Sequence, residues 1–200
     1  MNMEMYEARN SIYCYEGTNV LINNFNIRDN KKLQEVERKI VLAKLFELRK
    51  NKQIGNFDKA HLVNIHKFLF EDIYPFAGKF RTENIAKGYF SFAEWEYIES
   101  ELDNLLKKLK DKNLLKDENF DDFVNDICYF MSELNVLHPF REGNGRTIRE
   151  FIRELAYVNG YLLDFSDVSA DDILQASVKS VVEDRDLKQI LRLCLKKMEK

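Results

Sequence analysis

Twelve consecutive positions, His138-Pro139-Phe140-Arg141-Glu142-Gly143-Asn144-Gly145-Arg146-Thr147-Ile148-Arg149, hold a base, an acid, an asparagine, two glycines and three arginines. Gly143 and Gly145 let the backbone take positive φ and let a ligand come close. A glycine-rich turn feeding a helix N-terminus is an anion site, because unpaired N–H groups and the helix dipole point at the ligand. Arg146 and Arg149 are three apart and share a helix face. Two guanidiniums beside such a turn suit a polyphosphate better than a single carboxylate. Glu142 in the same loop suits Mg²⁺, which is usually held by one or two carboxylates together with substrate phosphates. Taken singly, a GxG, an arginine at helical spacing and a histidine at a helix end are commonplace. Together, within twelve positions, they are the residue types that nucleotide chemistry needs.

The loop needs a helix on each side. Phe120 to Leu137 reads as one, with Phe123, Ile127, Phe130, Met131 and Leu134 apolar, and it delivers the chain to His138. Pro139 biases His138 out of the helical region, so this helix ends near Leu137. The run after Gly145 is the second, with Ile148, Phe151, Ile152 and Leu155 on its apolar side and a stop at Asn159-Gly160. Asp29 or Asn30 caps a helix to about Lys50; its second half is apolar on most sides, which predicts a central, well-covered helix. Asp58 caps the next, which carries His61 and His66 on different faces. Those two are read as solvated or hydrogen-bonded, not as metal ligands. Tyr74-Pro75-Phe76-Ala77-Gly78 breaks that helix. Lys79 to Phe92, with a Lys87-Gly88 turn, is the one β-hairpin expected. Helices follow over Glu94–Lys110, Ala170–Val182 and Asp186–Met198. The fold expected is an all-α bundle with a small hairpin near the motif: an irregular arm over 1–29 packed on a single domain over 30–200.

Two hundred residues with a 45% apolar share are enough for one such domain. A net charge of −3 and a pI near 5.8 do not favour nucleic acid. No apolar run is long enough to span a membrane, and the N-terminus lacks the pattern of a signal peptide. Cys14, Cys128 and Cys194 are odd in number and widely spaced, which fits reduced thiols in a cytoplasmic protein. Oligomeric state is left open by the composition.

The twelve-residue stretch resembles, position for position, the signature HxFx[D/E]GNGRxxR of the Fic family. The likeness extends to Ile73-Tyr74-Pro75-Phe76-Ala77-Gly78-Lys79-Phe80-Arg81, similar to the family's second block, and to Asn84-Ile85-Ala86-Lys87-Gly88, similar to its hairpin flap. Tyr15-Glu16-Gly17-Thr18-Asn19-Val20-Leu21 resembles the arm of bacterial Fic toxins. The resemblance implies a Fic-type helical fold and transfer of AMP from ATP to a Tyr, Ser or Thr hydroxyl of a target protein. By the same resemblance His138 is the base, with an ordinary imidazole pKa near ~6.5. Glu142 holds Mg²⁺. Phe140, Gly143, Asn144, Gly145, Arg146 and Arg149 make the nucleotide site, with Phe140 pointing inward as an anchor, Arg146 on the β-phosphate and Arg149 on the γ-phosphate. Asn84, Ile85, Ala86, Lys87 and Gly88 dock the target as an added strand.

A Doc-type relative lacks the GNGR arrangement and transfers phosphate; Gly145 and Arg146 favour AMP transfer here. A non-catalytic nucleotide-dependent interaction module is the other alternative. Self-inhibited relatives carry [S/T]xxxE[G/N], whose glutamate pairs with the second motif arginine. No Ser or Thr in this sequence has Glu four residues on. Glu35, with Lys31 where Ser or Thr would stand, is a near miss, and a separate small antitoxin is the alternative.

Overall fold

The fold is described from a computed structural model over residues 11–51, 54–88 and 90–199. The helices are α1 (Asn30–Asn51), α2 (Lys59–Phe70), α3 (Ile98–Asp111), α4 (Phe120–Leu137), α5 (Asn144–Val158), α6 (Ala170–Lys179) and α7 (Arg185–Cys194). The short strands are β1 (Ala86–Lys87), β2 (Phe90–Ser91), β3 (Tyr161–Leu163) and β4 (Leu195–Lys197). Asp29 accepts from the Lys32 N–H at 2.9 Å and starts α1; Asp58 does the same for the His61 N–H and starts α2. The all-helical expectation holds, and the hairpin pairs Ala86 with Ser91 and Lys87 with Phe90.

α5 is the central element. Ile148, Phe151, Ile152 and Leu155 have no exposed surface, and α2 and α4 cover them. Two acids on α5 are buried as well, and both are paired. Glu150 bonds Arg49 of α1 at 3.0 Å and Arg153 at 2.7 Å. Glu154 accepts from His61 Nε2 of α2 at 2.8 Å, while His61 Nδ1 accepts from the Phe57 N–H. A buried acid is tolerated only when its charge is met in this way. These pairs fix the motif helix against its neighbours.

Three sequence expectations are corrected. α1 is not covered on all sides: Leu42 and Phe46 stand 68% and 74% exposed on its outer face, because α1 lies at the edge of the bundle and only one side meets α2 and α5. Asp186–Met198 is not one helix. It stops at Cys194, and Leu195–Lys197 pairs antiparallel with Tyr161–Leu163, exchanging helical bonds for strand bonds to the segment just after the motif helix. The Ala170–Val182 helix ends at Lys179. Of the arm, residues 1–10 lie outside the described residues; residues 11–29 run irregularly over the body, with Val20 and Leu21 buried and the Asn24 N–H on the Ile73 carbonyl. Among the described residues no helix is long and apolar enough to cross a membrane.

Candidate active site

The loop between α4 and α5 is built by its own side chains. His138 caps α4 in the left-handed conformation (φ 45°, ψ 59°), and its N–H bonds the Leu134 carbonyl. Gly143 is also left-handed (φ 83°), and its missing Cβ matters twice, because an added Cβ would fall 2.3 Å from the Phe70 ring. Gly145 is helical, contrary to the expectation of positive φ there: α5 already begins at Asn144. Its small size serves Arg149 instead, whose guanidinium would lie 3.1 Å from an added Cβ.

Asn144 is buried. Its Oδ1 accepts from the Phe140 N–H at 2.8 Å, and its Nδ2 donates to the Phe140 carbonyl at 2.6 Å. The carboxamide therefore shapes the loop; the groups left to face an anion are the N–H groups of the first turn of α5, which a helix does not pair internally. Phe140 has no exposed surface, which makes it an anchor and not a ligand contact. Its ring stacks on His66 of α2, centroids 3.8 Å apart. His66 Nδ1 accepts from the Gly78 N–H and Nε2 donates to the Glu142 carbonyl at 2.9 Å. Both histidines of α2 are thus buried and hydrogen-bonded, as one of the sequence alternatives had it.

His138 is buried under the ring of Phe92, with centroids 3.8 Å apart. Its Nδ1 lies 3.2 Å from the Asn135 carbonyl. A carbonyl can only accept, so Nδ1 carries the proton and Nε2 the lone pair, the tautomer a base requires. The ordinary pKa expected from sequence is corrected: burial, with Arg81 and Lys87 nearby, holds this imidazole down at about 3, against the smaller opposing pull of the Asn135 carbonyl. Arg81, from the segment before the hairpin, fixes the His138 backbone: its Nε donates to the His138 carbonyl at 2.8 Å, and its own N–H bonds the Pro139 carbonyl.

The charged groups are unevenly matched. Glu142 Oε1 accepts from the Gly143 N–H at 2.9 Å and stands 3.4 Å from Arg146 Nη2. Burial and the neighbouring carboxylate of Glu37 push its pKa up, so a cation would be welcome there. Arg146 is met at Nη1 by Glu37 at 2.6 Å, and its guanidinium lies over the Phe70 ring. Arg149 has no acidic partner among the described residues. Burial and the charge of Arg146 hold it down at about 10. Among the described residues no group of three or more His, Cys, Asp or Glu could hold a metal. A lone carboxylate in an anion loop fits Mg²⁺ that arrives with phosphates.

In the hairpin, Ile85 is buried and the Asn84 Oδ1 accepts from the Trp95 N–H. These two anchor the flap, leaving Ala86 and Lys87 on a strand with an unpaired outer edge among the described residues and Gly88 in the turn that follows. Lys87 and His138 line one cleft together with Asn135, Phe90 and residues of α6. Glu35 is exposed on α1, so the near-miss glutamate is not in the site. The α1 residue that does enter is Glu37, which the sequence reading missed. Its one signal was an acid at the buried spacing Leu33, Glu37, Val41.

The family profile described as Fic/DOC family matches residues 56–156. The chain is 39% identical over 189 residues to the protein adenylyltransferase VbhT of Bartonella schoenbuchensis, covering 94% of this chain and 40% of VbhT. It is 36% identical over 181 residues to a probable protein adenylyltransferase, y4lH, of Sinorhizobium fredii, covering 89% and 92%. Among solved structures, BepC from Bartonella tribocorum with bound AMPPNP superposes with a TM-score of 0.86 at 29% identity, covering 94% of this chain and 97% of that one. The N-terminal Fic domain of a putative cell filamentation protein from Bartonella quintana with bound ADP gives a TM-score of 0.87 at 28% identity, covering 94% and 95%. The signature loop, the helices that hold it and the hairpin over its histidine agree with these matches, and the chain belongs to the Fic/DOC family.

Proposed function

We propose that this protein is an adenylyltransferase that moves AMP from ATP to a hydroxyl side chain of another protein. The observation that carries the reading is Arg149, a half-buried guanidinium with no counter-charge among the described residues, set beside Arg146 at the first turn of a helix. A cation placed this way is stabilised by a bound anion, and two of them span a polyphosphate. The names of VbhT and y4lH and the nucleotides bound in the Bartonella structures support the same reading.

In this mechanism the first-turn N–H groups of α5 receive the phosphate nearest the nucleoside, Arg146 holds the β-phosphate and Arg149 the γ-phosphate. Glu142 would hold Mg²⁺, which neutralises charge on the phosphates when bound. His138 Nε2 takes the proton of the acceptor hydroxyl as its oxygen attacks the α-phosphorus; the bond to the β-phosphate oxygen breaks and pyrophosphate leaves. Burial keeps the imidazole neutral at pH 7, with the lone pair on Nε2. The outer edge of β1 aligns the target chain as an added strand, which brings its hydroxyl to His138. Positioning and charge neutralisation are most of what such a transfer needs. The reading places the protein in the cytoplasm, and a separate small antitoxin supplies the restraint that no sequence motif provides.

ATP labelled on the α-phosphate, incubated with the protein and a cell lysate, tests this. Label on a protein band, dependent on Mg²⁺ and lost in Glu142→Ala, is the expected result. Label transferred from the γ-phosphate instead would identify a phosphotransferase, and no transfer with intact ATP binding would identify an interaction module.

A further inference from the structure

We infer that Glu37 is a positioning residue for the nucleotide site: it fixes the Arg146 guanidinium for a β-phosphate and so leaves Glu142 to a divalent cation. The inference rests on the adenylyltransferase reading above. Glu37 comes from α1, outside the segment that matches the family profile. It is 8% exposed, and a carboxylate so placed needs its charge met. Both its oxygens are in use: Oε1 holds Arg146 Nη1 at 2.6 Å, and Oε2 accepts from the Tyr74 hydroxyl. With Phe70 beneath the guanidinium plane and Tyr74 holding the Glu37 carboxylate from behind, Arg146 is fixed before any ligand arrives. Holding a group in its bound pose ahead of binding removes an ordering cost from the binding step.

The division between the two acids is the second part. Arg146 is reached by Glu37 at 2.6 Å and by Glu142 at 3.4 Å, so the closer bond goes to Glu37. Take the Glu37 charge away and Glu142, four residues before Arg146 on the same side, is the nearest acid left. The pair would close, and the carboxylate suited to a cation would be spent on the arginine. Glu37 thus governs two properties together: grip on the β-phosphate and dependence on Mg²⁺.

The test is titration calorimetry of the full chain with ADP and with AMP, each with and without Mg²⁺, for wild type, Glu37→Gln and Tyr74→Phe. AMP lacks the β-phosphate and serves as the internal reference. Glu37→Gln is expected to weaken ADP binding on the order of tenfold, the usual worth of a charge-assisted bond, with AMP unchanged and the gain from Mg²⁺ reduced. Tyr74→Phe removes one oxygen and no charge; it should weaken ADP a few-fold in the same direction and decides the matter if Glu37→Gln does not fold. ADP binding that is unchanged or tighter in either variant overturns the inference, since Glu37 would then be idle or a competitor of the phosphate. Equal losses for ADP and AMP overturn it as well, as general damage to the site. A wild type without preference for ADP over AMP would remove the phosphate-holding role of Arg146, and the adenylyltransferase reading along with this inference.

Discussion

The imidazole of His66 lies flat on the ring of Phe140, centroids 3.8 Å apart and planes within 8°. Its two nitrogens bond the Gly78 N–H and the Glu142 carbonyl, so one side chain joins α2, the segment before the hairpin and the phosphate loop. Only the neutral ring can do this, because a proton on Nδ1 would face the Gly78 N–H. Burial is the main reason its pKa falls to about 4.

Acid should therefore loosen this fold through its histidines. His66 and His138 titrate at about 4 and about 3 when folded, below the ~6.5 of an unfolded chain. Between those values the unfolded chain binds protons that the folded chain refuses. Their contribution is complete above pH ~6.5 and is lost as pH falls toward the folded values, roughly 2 kcal/mol per histidine by pH ~5. Urea unfolding at neutral pH and at pH ~5 measures the slope. His66→Gln should be less stable at neutral pH yet show about half the pH sensitivity; an unaltered slope would contradict the assignment.

His138→Ala should abolish transfer and leave ATP binding close to wild type, since the imidazole holds no phosphate in this arrangement. A general base is worth ~10²–10⁴-fold. Residual transfer above a few per cent of wild type would place the base elsewhere.

Gly143→Ala and Gly160→Ala make a controlled pair. Both glycines have positive φ, at 83° and 82°, but an added Cβ at Gly143 strikes Phe70, while at Gly160 nothing lies within 4 Å. Gly160→Ala is expected to cost about 1 kcal/mol for the backbone alone. Gly143→Ala adds a steric cost of roughly 1–3 kcal/mol and displaces the ring on which Arg146 rests, so ADP affinity falls too. Equal stability losses with equal ADP affinity would show that the Phe70 contact relaxes freely.

Arg149→Met should separate stability from function. Removing a half-buried charge with no acidic partner among the described residues leaves the melting temperature of the ligand-free protein unchanged or higher. The same change should erase the preference for ATP over ADP. A marked drop in melting temperature would mean that Arg149 is structural.

Local features of this chain are legible in its amino-acid order. The helix ends at Asp29, Asp58 and Leu137, the hairpin at Lys87-Gly88 and the chemistry of His138 to Arg149 follow from residue types within a few positions of one another. What cannot be read there spans distance. Glu37 reaches Arg146 across the whole intervening chain, and the Leu195–Lys197 strand lacks a period of its own because three residues are too few to show one. The roles of Asn144 and Phe140 depend on which way each side chain turns. The exposure of Leu42 and Phe46 depends on where α1 sits in the bundle.

The left-handed turn at His138 has one more consequence. A non-glycine residue in that conformation carries a backbone strain of roughly 1 kcal/mol, from which glycine is exempt. The same position needs an imidazole for chemistry. The packing of that imidazole under Phe92 offsets the strain, because clearing a buried ring usually costs ~2–5 kcal/mol, so the side chain that serves the reaction is also the one that holds the turn in place.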